Sequence, residues 1–362
     1  MTIHTPGRSD PVGAEATKAW PRVGLVGAGR IARTGHLPAY AAGGVPLVAV
    51  CSATRTSAQD LAAAWPGDRL RVHATAAELA ADPDVDLIDI TTPPAGRAEL
   101  IASLLPYGKP LLVQKPLAYT LKEATAITNK ASAAGVPIAV NQNLRWAPPQ
   151  RVLNEWITAG DLGEIAHIAH VHHFGEDERT WYTDHSDYLF IDHGLHYLDL
   201  IRWHTGRDPI AVAARAIHLP AQSALCPLTY TIMLRFGGPP LVASLTLYDA
   251  ARSAAAWASN WFVNGTEADA HVTYTTATLH TAAGKTISRT PHGEWVPDGI
   301  LAAYTAFADA LAADRLPPHH AGDHLRTLAM AEAAATSARS DGTWIGVPLP
   351  DVPQRSEGDH QR

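Results

Sequence analysis

Val23-Gly24-Leu25-Val26-Gly27-Ala28-Gly29-Arg30-Ile31-Ala32 is the stretch on which the fold turns. A short apolar run, Val23 to Val26, leads into G-x-G-x-x-A, and a helical pattern continues to about Ala42. Gly27 permits a tight turn. Gly29 has no Cβ, so a pyrophosphate can approach its backbone. Ala32 lets the helix pack close to a sheet, and the helix start offers free amide groups and the positive end of its dipole. A small-residue turn that binds nothing has the same composition. The strand before it and the helix after it favour a dinucleotide site touching Gly27, Gly29, Arg30 and Ile31.

Outward from this turn the alternation continues. Val45–Cys51, Leu70–His73, Val85–Thr91, Leu111–Val113 and Pro137–Asn141 read as strands. Between them Ala58–Trp65, Ala76–Ala81, Ala95–Tyr107 and Leu121–Ala134 read as helices. Thr75 with Glu78, and Thr120 with Glu123, spell capping boxes, and Gly135 stands where a helix ends. Near-continuous apolar strands alternating with helices predict a parallel, doubly wound sheet. After about Arg145 longer strands with Gly/Pro turns take over, among them Ile165–Phe174, Ile210–Leu219, Thr229–Phe236 and Leu241–Tyr248. Helices are expected near Arg151–Ala159, Ile191–Thr205, Ile300–Ala313 and Ala321–Arg339. The pattern predicts an α/β domain followed by an α+β domain. Residues 1–20 read as a flexible leader, 21–143 as the dinucleotide-binding domain, 144–349 as the substrate and oligomerisation domain, and 350–362 as a flexible tail.

The 362 residues suit two domains. A net charge of −7 argues against a nucleic-acid partner, which needs clustered basic charge. No apolar run is long enough to cross a membrane, and the first twenty residues lack the apolar core of a secretory signal. Two cysteines make neither a disulfide framework nor a Cys-rich zinc site. A cytoplasmic protein is the expectation.

Three positions carry candidate chemistry. The second strand ends in Cys51-Ser52-Ala53-Thr54-Arg55, where an NAD enzyme usually places a carboxylate for the ribose. With none there, Ser52, Thr54 and Arg55 could hold a 2′-phosphate, so NADP(H) is favoured and NAD(H) remains possible. Gln114-Lys115-Pro116 follows the fifth strand, where open α/β sheets bind ligands. A lysine there can act as an acid or polarise a carbonyl, although a plain surface lysine is the commoner case. Along Ile191–Trp203, Asp192, His196, Asp199 and Trp203 share one helical stripe. A carboxylate one turn before an imidazole can orient it and raise its basicity; a helix cap beside a satisfied buried histidine is the alternative. The chain has 19 histidines, but no His-Glu-x-x-His motif occurs. His170 and His172 share one strand face while His173 takes the other, and no metal is expected.

Taken together these motifs resemble the Gfo/Idh/MocA family of nicotinamide-dependent oxidoreductases. The resemblance rests on the glycine turn, Thr91-Thr92-Pro93-Pro94, Gln114-Lys115-Pro116, and Asp192-x-Gly194-x-His196-x-x-Asp199. It implies, more finely than the pattern alone, an α/β Rossmann domain plus an α+β domain with a large open, mainly antiparallel sheet. It implies that Lys115, Asp192 and His196 surround the reacting carbon of a sugar, aminosugar or cyclitol, with lysine and histidine as acid/base groups. It implies cofactor contacts from Thr92, Pro93, Gln114 and Lys115. The segment of Asn143, Arg145 and Trp146 looks like the family's entry into the substrate site, and Tyr182 is a further candidate to stack on a sugar. A homodimer or homotetramer is expected. Net dehydrogenation is the leading activity, ahead of glycoside cleavage through transient oxidation and of a cofactor-binding regulator. Three departures stand out: Gln114 replaces the usual Glu, Arg97 stands where His is common, and Asp187-Tyr188 replaces Gly-Gly.

Overall fold

The computed structural model describes residues 20–175, 179–180, 182–220 and 222–350. Of the sequence expectations, the leader over 1–19 and the tail over 351–362 lie outside the described residues. Trp20 packs its ring against Tyr304, 5.5 Å between centroids.

The first half alternates as its apolar runs require. In chain order it holds β1 (Val23–Val26), α1 (Leu37–Gly43), β2 (Leu47–Cys51), α2 (Arg55–Ala64), β3 (Arg71–Val72) and α3 (Ala76–Ala81). It continues through β4 (Leu87–Ile90), α4 (Arg97–Leu104), β5 (Leu111–Gln114), α5 (Leu121–Ala133) and β6 (Ile138–Asn141). The six strands are parallel in the order β3-β2-β1-β4-β5-β6. The order reverses beside β1, and that switch opens a crevice at the carboxyl ends of β1 and β4. Helices start where the threonines say. Thr75 Oγ1 accepts from the Glu78 amide at 3.1 Å, and Thr120 Oγ1 from the Glu123 amide at 3.2 Å. Glu78 reaches back one residue further than a capping box predicts, to the Ala74 amide at 3.0 Å. Thr54, unrecognised as a cap, accepts from the Ser57 amide and starts α2 at Arg55, three residues earlier than expected. Each such cap contributes about 0.5–2 kcal/mol.

The second half builds on α6 (Pro148–Ala159), β7 (Ile165–His173), α7 (Gly194–Thr205), β8 (Pro209–Ile217), β9 (Thr229–Phe236), β10 (Val242–Tyr248) and β11 (Ala258–Gly265). β12 (Ala268–Val272), β13 (Ala277–Thr281), β14 (Thr286–Arg289), α8 (Ile300–Ala312), α9 (Ala321–Arg339) and β15 (Ile345–Gly346) complete it. Nine strands form one sheet, ordered β14-β13-β12-β11-β7-β10-β9-β8-β15. All neighbours are antiparallel except β7 and β10. Alternation sets the two faces: in β9 Tyr230, Ile232 and Leu234 are buried while Thr231, Met233 and Arg235 face out. α7 and α9 cover the inner face. Gly194 opens α7 because a Cβ there would lie 2.1 Å from the Tyr230 hydroxyl and 2.5 Å from the Leu189 carbonyl oxygen.

Three features depart from the sequence pattern. The helix that follows the glycine turn from Arg30 runs through a π-helical turn, Ala32–His36, before α1. Leu189–His193 forms a π-helical turn ahead of α7, where a regular helix from Ile191 was expected. And α8 returns to the parallel sheet: Ile300, Tyr304, Phe307 and Ala308 share a core with Val23, Leu25, Tyr40 and Leu47. The two halves therefore interlock.

Candidate active site

The glycine turn is held from two sides. The Gly27 amide donates to the Cys51 carbonyl at 2.9 Å, and Thr91 Oγ1 donates to the Gly27 carbonyl at 3.0 Å. Gly27 has a φ of +109°, and a Cβ there would stand 2.8 Å from Thr91 Oγ1 and 3.1 Å from the Thr92 nitrogen. Gly29 is the opposite case: it is exposed, and a Cβ would meet nothing within 4 Å. Arg30 is exposed beside it and Ile31 half-buried. Across the crevice Thr92 Oγ1 and Gln114 Oε1 are buried with no hydrogen-bond partner among the described residues, while Pro93 is exposed. An open glycine at a helix start, facing orphaned polar atoms at two strand ends, fits a bound nicotinamide dinucleotide. At the end of β2, Ser52 is half-buried and Arg55 exposed, with no carboxylate in the segment. Thr54 is taken up by its cap.

Lys115, from the end of β5, reaches across to the second half. Its Nζ donates to Asp192 Oδ1 at 2.5 Å and to the Asp192 carbonyl at 3.1 Å. The side chains are only 10% and 16% exposed, so the pair is nearly desolvated. His196 is buried, with Nδ1 lacking any partner among the described residues. Its ring meets Trp295 edge-on, 4.9 Å between centroids. Burial, and then the nearby charges of Lys115 and His193, push the imidazole well below its ordinary range, so it is neutral at pH 7. The expected division of labour is corrected here. Asp192 serves Lys115 rather than His196, because the π-helical turn shifts it out of α-helical phase. Burial is the main cause that lowers the basicity of His196, where the sequence predicted it raised.

Two family models match the chain. One, "Oxidoreductase family, NAD-binding Rossmann fold", covers residues 21–142, and the other, "GFO/IDH/MocA C-terminal domain", covers 151–282. The chain belongs to the Gfo/Idh/MocA family. Among its relatives, the rhizopine catabolism protein MocA of Rhizobium meliloti is 30% identical over 191 residues, 52% of this chain and 58% of that protein. Inositol 2-dehydrogenase of the same species (strain 1021) is 27% identical over 195 residues, 54% and 58% of the two chains. The chain thus aligns with a little over half the length of these curated relatives. An oxidoreductase from Agrobacterium radiobacter, solved with NAD+, L-tartaric acid and magnesium, superposes with a TM-score of 0.81. It is 21% identical and covers 91% of this chain and 99% of its own. Levoglucosan dehydrogenase in complex with NADH and levoglucosan gives 0.78 at 19% identity, covering 91% and 100%. At these identities the superpositions establish the fold.

Within this Gfo/Idh/MocA chain the departures acquire physical roles. Arg97 is buried and its guanidinium clamps the Thr92, Gln114 and Pro116 carbonyls, tying together the ends of β4 and β5. Burial lowers its pKa to about 10, partly offset by Asp192. Tyr188 is buried against Tyr182, 5.1 Å between rings, and the Tyr182 ring lies 6.0 Å from the Arg30 guanidinium. The Asn143–Trp146 segment corrects a second expectation. Arg145 is buried and committed: Nε and Nη2 donate to Asp199 at 2.6 and 2.5 Å, Nη2 to Asp323 at 2.5 Å, and Nη1 to the Pro318 carbonyl at 2.7 Å. Four of its five N–H donors are engaged, and the remaining Nη1 hydrogen belongs to a side chain only 1% exposed. Asn143 Oδ1 is likewise taken, by the Trp295 indole at 2.8 Å. Trp146 is wedged between Trp203 and His319. These residues shape the wall behind the site. Trp295, which packs edge-on against His196 from the π-helical turn Trp295–Gly299, was missed because a lone tryptophan has no spacing signal.

Proposed function

We propose that the protein is an NAD(P)-dependent dehydrogenase or reductase acting on a secondary alcohol or ketone of a sugar, aminosugar or cyclitol. One observation carries the reading: a desolvated Lys115–Asp192 pair and a neutral buried imidazole, His196, stand beside an open glycine turn at the switch point of the sheet. When bound, the nicotinamide supplies the hydride acceptor or donor. In the oxidation direction His196 takes the hydroxyl proton as the C–H hydride leaves. Lys115 donates a charge-assisted hydrogen bond to the developing alkoxide, a bond stronger here than in water. Asp192 keeps Lys115 aimed. In the reduction direction the same proton returns to the substrate oxygen.

NADP(H) is the favoured cofactor. Arg55 lies exposed at the first position of α2, beside Ser52 and with no carboxylate to repel a 2′-phosphate. The outward face of the nine-stranded sheet exposes Ile217, Met233, Val242 and Phe262, which supports a homodimer or homotetramer through that face. No described helix is long and apolar enough to cross a membrane. Both cysteines are free, which supports a reducing compartment such as the cytoplasm.

The test is a thermal-shift titration with NADP+ and NAD+ in parallel, followed by a polyol panel monitored by nicotinamide absorbance. Ligand at 100 times its dissociation constant adds about 2.7 kcal/mol of stability. A larger shift with NAD+ at matched low concentration overturns the phosphate argument. Binding without turnover on any polyol or ketone overturns the activity.

A further inference from the structure

We propose that His172, His193 and Asp249 form a binding site for one zinc-type divalent cation, next to the Lys115–Asp192 pair. The three come from different elements: His172 from β7, His193 from the π-helical turn before α7, and Asp249 from the residue after β10. One nitrogen of each imidazole and one carboxylate oxygen all lie within 4.8 Å of one another. His193 Nδ1 is 2.5 Å from Asp249 Oδ2, and His172 Nε2 is 4.0 Å from Oδ1. Tetrahedral zinc, with bonds of about 2.0–2.2 Å, holds its ligand atoms roughly 3.3 Å apart. The two separations run to different carboxylate oxygens, and side-chain rotation must open the first by about 0.8 Å and close the second by about 0.7 Å to reach that value.

Two independent features point to a cation. Asp249 is fully buried, yet its Oδ1 has no hydrogen-bond partner among the described residues. A bare carboxylate oxygen in a dry interior is costly, and a cation between it and two imidazoles would satisfy it. The outer nitrogens are also held. The Tyr197 hydroxyl lies 3.0 Å from His193 Nε2 and 3.3 Å from both ring nitrogens of His172, so a cation would take over its contact with Nε2; the Tyr274 hydroxyl lies 3.4 Å from His172 Nδ1. Metal-ligating histidines have such partners on the nitrogen facing away from the metal, which fix ring orientation and tautomer.

The donor set selects the ion. Two imidazoles and one carboxylate suit zinc and its transition-metal neighbours, whereas calcium and magnesium favour shells made mostly or wholly of oxygen. Three protein ligands leave a fourth position for water or another small oxygen ligand. His193 is the ligand with solvent access, 13% of its side chain against 2% and 0% for the others. The sequence reading weighs the clustered histidines and expects no metal: strand parity places His172 on a face, but only the fold brings His193 and Asp249 to it.

The test uses the full chain with any affinity tag removed, stripped by chelator and dialysed. Zinc titration by calorimetry, with metal content by mass spectrometry, is expected to give one equivalent per chain. Cobalt substitution is expected to give the visible absorption of a four-coordinate site. His172→Gln and Asp249→Asn should weaken zinc at least 100-fold, Tyr274→Phe about tenfold, and His173→Ala should leave it unchanged. If Asp249→Asn does not fold, His172→Gln and Tyr274→Phe decide. The proposal is overturned if the wild type takes up no stoichiometric zinc, or if folded His172→Gln binds it equally well. It is also overturned if cobalt shows only octahedral surface binding. In those cases a proton shared by His193 and Asp249 is what neutralises the buried carboxylate.

Discussion

Replacing Arg145 with methionine separates a substrate-binding role from a structural one. The guanidinium makes four hydrogen bonds of 2.5–2.7 Å, three of them to carboxylates. Methionine keeps most of the stem that packs under Trp203, whose ring lies 4.8 Å from the guanidinium carbon. What is lost is the charge. Asp199 is left with the Thr327 hydroxyl at 3.0 Å, and Asp323 with Arg202 at 3.1 Å. Removing one partner of a buried pair costs about 3–5 kcal/mol, because the stranded charge stays desolvated. Urea unfolding followed by tryptophan fluorescence should show a loss of that size at pH 7. The loss should shrink on acidification: carboxyl pKa values raised in the folded variant impose their penalty above those values and lose it as protonation sets in. If stability stays within about 1 kcal/mol of wild type while KM rises tenfold, Arg145 belongs to the substrate site and the present assignment fails.

Two further outcomes are expected. Gly29→Val should unfold at the wild-type temperature, since its Cβ meets no protein atom, yet lose at least tenfold in dinucleotide affinity by calorimetry; unchanged affinity would place the cofactor elsewhere. Burial pushes His204 and His324 down to about 3, against about 6.5 when unfolded. For histidines depressed by folding, stability is intact above pH 6.5 and lost as pH falls toward 3, by up to about 2.7 kcal/mol per pH unit for the two. Urea midpoints at pH 7.5, 6.5 and 5.5 should decline accordingly, and His324→Gln should flatten the slope; a flat wild-type profile contradicts this.

The parallel domain was legible because β1, β4 and β6 are buried on both faces and α3 and α5 start at threonines with Glu three residues on. Lys115 was legible because an apolar strand points to it. Other features were not, for physical reasons. The π-helical turn at Leu189–His193 preserves an apolar helical pattern, so the phase shift that turns Asp192 toward Lys115 leaves no mark in sequence. α8 is apolar enough for either sheet, and only the packed structure sends Ile300 and Phe307 to the first. Arg145 was misread because an arginine near an aromatic looks the same whether it meets a ligand or two buried carboxylates. Those carboxylates, Asp199 and Asp323, lie far along the chain from it.

The account rests on Lys115 and His196 acting on a substrate beside the dinucleotide. The direct measurement is steady-state nicotinamide reduction by wild type, Lys115→Ala and His196→Ala on a polyol the wild type oxidises, with cofactor affinity measured alongside. Positioned acid–base groups are worth about 10²–10⁴-fold, so each variant should turn over at least tenfold more slowly while binding cofactor within a few-fold of wild type. Wild-type turnover in both variants would contradict the account.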